Sequence, residues 1–208
     1  MLTTRPEAEA LRKFMIRRMM THQKPGSGST WNREEDKEMA VNRLLEWEWI
    51  ENALSGLSHV IVGEMAVNQF APPRATEDLD IALAVDDART AVSLLRQQGF
   101  DVVGELSIGD WTLRRETMSL DILELDEPWL DEALQRPCRI GPFPVLDLPY
   151  LILMKMAASR GTDIGDIQRM LHGADEPQRQ RVRDVFGRFA PQDMEDIEQL
   201  MVLSDAAW

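Results

Sequence analysis

The 208-residue chain has one cysteine, one tyrosine and three histidines, and no apolar run approaches the roughly 20 residues a bilayer-spanning helix needs. A lone Cys138 cannot form an internal bridge, so disulfide-stapled scaffolds are excluded and a reducing, cytoplasmic compartment is expected. The opening MLTTRPEAEALRKF lacks the basic-then-apolar order of a secretion signal, and no membrane partner is expected. His22, His59 and His172 have no spaced cysteine or carboxylate partners of the zinc-binding kind. Cys138, although flanked by Arg136 and Arg139, has no evident base to make it a nucleophile. Net positive charge is missing too. With 36 acidic against 23 basic side chains the charge is -13, which opposes broad attraction to nucleic acid or anionic lipid, so any RNA contact must be local.

What remains, 44% hydrophobic and 28% charged, describes one domain with enough core to fold alone and room for a small appendage. Residues 1–33 hold seven Lys or Arg against Glu7 and Glu9, a local +5 that leaves -18 for the rest. Leu11, Phe14, Met15 and Met19 recur there at helical spacing, giving a basic N-terminal helix, and the Gly/Ser-rich residues 24–30 form a flexible connector. Residues 33–56 have the grammar of a helix closed at Gly56.

Beyond it the pattern predicts a strand over 58–62, a turn at Gly63, and a helix over 64–70 that ends before Pro72 and Pro73. A strand over 78–85, a helix capped by Asp86 or Asp87 and ended at Gly99, and strands over 100–106, 111–116 and 119–125 follow. After Pro128 the pattern turns helical: an extended Val145-Leu146, then helices over 148–159 (capped by Asp147), 162–172, 176–189 and 191–203. The fold class is therefore α+β, a mixed sheet flanked by helices with a helical C-terminal tail. The expected units are an N-terminal segment over 1–31, an α/β core over 32–127 and a mainly helical part over 128–208. The six tryptophans and twelve methionines read as packing residues.

The chemistry candidate is Asp78-Leu79-Asp80-Ile81. Side chains alternate along a strand, so Asp78 and Asp80 share one face about 6.6 Å apart. Like charges this close raise each other's pKa unless a cation intervenes, and hard divalent cations take oxygen ligands. Asp121, in Ser119-Leu120-Asp121-Ile122-Leu123, comes within about 5 Å of one of the pair if its strand is the neighbour. Three such carboxylates can hold two magnesium ions about 3.5–4 Å apart, the arrangement that clamps attacking and leaving oxygens in phosphoryl transfer. The bland alternative is an edge strand with solvated acids.

Val62-Gly63-Glu64, thirteen intervening residues and Asp78-Leu79-Asp80-Ile81 resemble the signature of the polymerase-β-type nucleotidyltransferase superfamily. The longer string from Val62 to Asn68 and from Arg74 to Asp80, with the downstream block Lys155-Met156-Ala157-Ala158-Ser159-Arg160-Gly161-Thr162-Asp163-Ile164-Gly165-Asp166, looks like the minimal nucleotidyltransferases of the AbiEii abortive-infection toxin type. The resemblance covers roughly residues 45–172. It implies that Gly63 lets the following helix aim its N-H groups at nucleotide phosphates, that Asp78, Asp80 and Asp121 carry two Mg2+, and that Asp121 accepts the proton of an attacking hydroxyl. Lys155 and Arg74 would offset triphosphate charge; their plainer roles are a side chain snorkelling to the surface and a solvated loop cation. Arg160, Asp163 and Asp166 read as architectural, with Arg160 placed to pair with Asp163.

The implied activity is transfer of a nucleoside monophosphate from an NTP to a hydroxyl of RNA, protein or a small molecule. An antitoxin or a second copy of the chain is the partner such toxins imply. The runner-up is a catalytically inactive binding module. Glu64 departs from the motif, which has Gly or Ser there: it points away from the pocket, or binds metal, or marks a chain that keeps the fold without the reaction.

Overall fold

The computed structural model describes residues 47, 49–74, 76, 78–105, 110–116, 118–141 and 143–206. The expected basic segment 1–31, most of the helix over 33–56 and Trp208 lie outside the described residues. The described end of that helix runs through residue 53.

Short, mostly apolar β1 (His59–Ile61) leads through Val62 into α1 (Gly63–Phe70), which stops before Pro72. The second strand, β2 (Asp78–Ala84), has Ile81, Ala82 and Leu83 all buried, the sign of a central strand covered on both faces. It passes directly into α2 (Val85–Gln97), whose N-cap is Ala84 with no side-chain cap. Asp86 and Asp87 thus sit inside the first turn rather than capping it as expected, still facing the positive end of the helix. Gly99, at φ +91, ends the helix, and buried Phe100 stacks on Trp49 with centroids 5.6 Å apart.

Then come β3 (Asp101–Glu105), β4 (Trp111–Arg115) and β5 (Met118–Leu125). The stretch after Pro128 is not purely helical. Following α3 (Leu130–Gln135), β6 (Cys138–Ile140) and β7 (Phe143–Val145) form a tight hairpin through Gly141. Asp147 accepts a 2.9 Å bond from the Leu148 N-H and caps α4 (Leu148–Ala158), with Pro149 in the first turn. The chain closes with α5 (Gly161–Gly173), α6 (Glu176–Phe189), a 3-10 turn (Pro191–Asp193) and α7 (Met194–Ala206).

The strands of the described residues form one mixed sheet in the order β3-β4-β5-β2-β1-β7-β6. β1 runs antiparallel to β2 and parallel to β7, while β2 and β5 are parallel along Asp78–Ala84. The hairpin of β6 and β7 therefore extends the β1 side; of its residues the sequence pattern marked only Val145 as extended. Helix α1 packs on β2, backed by α4 and α5, and α2 packs on β2 and β5. Leu148, Leu151 and Ile152 of α4 are fully buried, each stabilising the fold by about 1.5–3 kcal/mol. Among the described residues no helix is long and apolar enough to cross a membrane.

Candidate active site

The sheet order makes β5 the parallel neighbour of β2, with Asp80 in register with Asp121 and Asp78 with Ser119. Parallel neighbours lie about 4.8 Å apart, so two carboxylates stand side by side on one face of the sheet. Asp78, two residues upstream on that face, is exposed at the start of β2.

Gly63 closes over this pair. The Val62 N-H donates to the Asp80 carbonyl at 2.9 Å, which continues the strand pairing and sets Gly63 above the carboxylate. At φ +61 Gly63 is left-handed, and a Cβ built on it would lie 1.7 Å from Asp80 Oδ2. Glycine is thus required twice here, for the turn and for the space. The free N-H groups of the first turn of α1 begin at the same point.

The carboxyl of Asp80 is pushed up to about 6, first by burial and then by the charges of Asp121 and Asp78, with Lys155 and Arg160 pulling in the opposite direction. Asp121 Oδ1 is buried and has no hydrogen-bond partner among the described residues. A buried acceptor without a donor, beside a second carboxylate whose charged form is disfavoured, is the environment a divalent cation relieves. Among the described residues, no three Asp, Glu, His or Cys side chains are drawn closely enough together to enclose a metal ion by themselves. The donor set still suits Mg2+, which is usually held by one or two carboxylates with substrate phosphates and water completing its shell.

The basic residues expected at the phosphates occupy a network behind α1. Lys155, 8% exposed, is buried in apolar α4, and its Nζ donates to Asp163 Oδ1 at 3.1 Å and Asp166 Oδ2 at 2.9 Å. It neither snorkels to the surface nor stands free in an open pocket; it ties α4 to α5 and reaches Asp80 only through its field. Arg74, its side chain 58% exposed, donates to Asp166 Oδ1 at 3.2 Å. Its backbone is clamped by Asn68, whose amide donates to the Arg74 carbonyl at 2.9 Å and accepts from the Arg74 N-H at 2.8 Å. Asp163 accepts from Arg160 Nε at 2.7 Å and holds its carboxyl below the usual range: burial raises it, and bonds from Arg160 and Lys155 outweigh that.

Two residues gain weight that sequence reasoning did not give them. Arg160, read as architectural, does pair with Asp163, yet its side chain is 73% exposed and near enough to Asp80 to lower its pKa. Arg169 was missed altogether. It bonds Asp166 Oδ1 at 3.0 Å, the Pro72 carbonyl, and Glu64 Oε1 at 3.3 Å. Its only sequence signal was the spacing of three from Asp166 on a helix. Glu64 is thereby turned toward α5.

No protein-family model and no curated protein matches the chain. Among solved structures it is similar to the crystal structure of ANT(2'')-Ia in complex with adenylyl-2''-tobramycin, with a TM-score of 0.47 and 15% identity over 80% of this chain and 98% of that one. The solution structure of the antibiotic-resistance factor ANT(2'')-Ia gives a TM-score of 0.47 and 14% identity over 80% and 92% of the two chains. Cid1 in complex with its short product ApU gives 0.33 and 16% over 79% and 51%. At such identities and superposition scores the similarity assigns no activity to this chain.

Proposed function

We propose that the chain is a magnesium-dependent nucleotidyltransferase that moves a nucleoside monophosphate from an NTP to a hydroxyl acceptor. The observation that carries this reading is the Asp80–Asp121 pair, in register on parallel strands beneath Gly63, with Asp121 Oδ1 buried and unpartnered among the described residues. Asp78, Asp80 and Asp121 are the residues that would hold Mg2+, two ions in the full complex. When bound, Mg2+ supplies neutralisation of the triphosphate and of the charge that develops as pyrophosphate departs.

The remaining roles belong to the chain. The first turn of α1 offers N-H groups to the triphosphate, and Arg160, with Arg74 on the facing loop, supplies positive charge where the phosphates enter. Lys155 acts from behind, holding Asp163 and Asp166 and offsetting the acids' charge. Asp121 accepts the proton of the acceptor hydroxyl. The hydroxyl oxygen forms a bond to the α-phosphorus, the bond from that phosphorus to the bridging oxygen of the β-phosphate breaks, and pyrophosphate leaves with the electron pair.

A cytoplasmic toxin of the AbiEii type, paired with an antitoxin, is the finer form of this reading. It is supported by the Lys155 to Asp166 block, which folds as one ion-paired unit. Growth arrest on induction that disappears with Asp80→Asn is its test. The acceptor stands as RNA, protein or a small hydroxyl compound.

A second reading, a catalytically inactive binding module, is favoured by Glu64 in the first turn of α1 and by the engagement of Lys155 with two carboxylates. One experiment separates the two. The full chain is incubated with each α-labelled NTP, Mg2+ and acceptor pools, and pyrophosphate release and label transfer are followed. The enzyme reading requires both signals, lost in Asp80→Asn and in Asp121→Asn. Their absence with every NTP leaves the binding module.

A further inference from the structure

Glu64 is the second residue of α1, and a carboxylate there is drawn to the free first-turn N-H groups, the same groups an anionic ligand would use. Left to itself it would occupy the positive end of its own helix and repel a polyphosphate. The fold gives it another partner. Glu64 Oε1 accepts from Nη1 of Arg169 at 3.3 Å, across 105 residues of sequence.

That guanidinium has little freedom. Its side chain is 8% exposed, Nη1 also reaches Asp166 Oδ1 at 3.0 Å, and Nη2 donates to the carbonyl of Pro72 in the loop between α1 and β2. Asp166 in turn is held by Lys155 and Arg74. Apart from Glu64, the guanidinium is therefore held at two points, one on its own helix and one on the Pro72 loop, and the glutamate, its side chain 22% exposed, is the less enclosed partner.

Resting on the nucleotidyl-transfer reading, we propose that Arg169 is a positioning residue for nucleotide binding: it holds the Glu64 carboxylate off the mouth of α1, leaving that helix end to the triphosphate of an NTP. Arg169 touches neither nucleotide nor acceptor. Its loss frees Glu64 to compete for the N-H groups, which weakens the bound ground state and leaves the chemical step alone. The effect belongs in Kd and KM, not in kcat.

The test uses the full chain, a non-hydrolysable NTP with Mg2+ for calorimetry, and label transfer for kinetics. Arg169→Gln weakens nucleotide affinity by about tenfold or more at nearly unchanged kcat, and Glu64→Ser combined with Arg169→Gln returns it to within about twofold of the parent. Rescue by deleting the second charge is what a purely structural role of Arg169 would not produce. Arg169→Lys, which keeps a cation near Glu64, retains most of the affinity.

Unchanged affinity in Arg169→Gln overturns the proposal, as does equal loss in the single and double variants, which would assign the effect to the Pro72 loop. Glu64→Ser alone keeps Arg169 and guards against an unfolded single variant; it is expected to bind like the parent. A parent that binds no NTP while Glu64→Ser does also overturns the proposal, because Glu64 would then block the mouth despite Arg169. A parent and a Glu64→Ser variant that are both silent sink the nucleotidyl-transfer reading itself.

Discussion

The Oδ2 atom of Asp80 lies 1.7 Å from where a Cβ on Gly63 would be, so the carboxylate occupies space that only glycine leaves empty. Two features with sixteen residues between them in sequence are thus one mechanical unit: the bend after β1 and the acid on β2. Gly63→Ala adds both a clash and a left-handed backbone without glycine, and is expected to destabilise the fold by about 2–4 kcal/mol. Urea unfolding measures it. Adding Asp80→Ala removes the carboxylate and returns part of the loss, leaving the backbone contribution from φ +61.

Asp80 carries a stability cost in the metal-free chain. Its carboxyl sits at about 6 against an ordinary 3.8, so the folded state binds a proton more readily than the unfolded one between those values. The cost is present in full above pH 6 and is relieved as pH falls through the folded value toward 3.8. Asp80→Asn in chelator at neutral pH should stabilise the chain by up to about 3 kcal/mol, and this gain should vanish toward pH 4. Thermal unfolding of both chains across that range checks the sign; a variant less stable than the parent at neutral pH contradicts it.

Lys155 is a buried cation facing two buried acids. Removing one member of such a group leaves uncompensated charge, although Asp163 keeps Arg160 and Asp166 keeps Arg74 and Arg169. Lys155→Met is therefore expected to cost about 3 kcal/mol, near the lower end for a broken buried pair. Lys155→Met with Asp166→Asn should recover part of it, measured by denaturant midpoint.

His59 gives a pH dependence away from the site. Burial lowers its pKa, but the 2.9 Å bond to Glu51, that residue's charge and the Leu57 carbonyl together raise it above the ordinary 6.5. The charged pair adds stability fully present below 6.5 and lost as pH rises through the folded value. Glu51→Gln should flatten that part of the stability profile. A profile unchanged by the variant would show that the pair contributes nothing.

Much of this was legible in residue spacing, and the failures have physical reasons. The alternation in Asp78-Leu79-Asp80-Ile81 placed two acids on one face, and Asp121 fell in another predicted strand; that β5 is the parallel neighbour of β2 is a long-range pairing on which spacing is silent. The β6–β7 hairpin escaped because three-residue strands offer no periodicity and Pro144 reads as a breaker. Arg169 was invisible because its meaning depends on Glu64 and Pro72, about a hundred residues away. Lys155 stands out in sequence as the one charged residue of the apolar stretch 148–158, but its partners Asp163 and Asp166 appear only once α4 folds against α5.

The most direct test of the proposed metal site at Asp80 and Asp121 is a count of Mn2+ bound to the full chain, by electron paramagnetic resonance at neutral pH with a non-hydrolysable NTP. The proposed site predicts about two ions per chain in the parent and loss of that binding in Asp80→Asn with Asp121→Asn. A parent chain that holds no more Mn2+ than this double variant would contradict it.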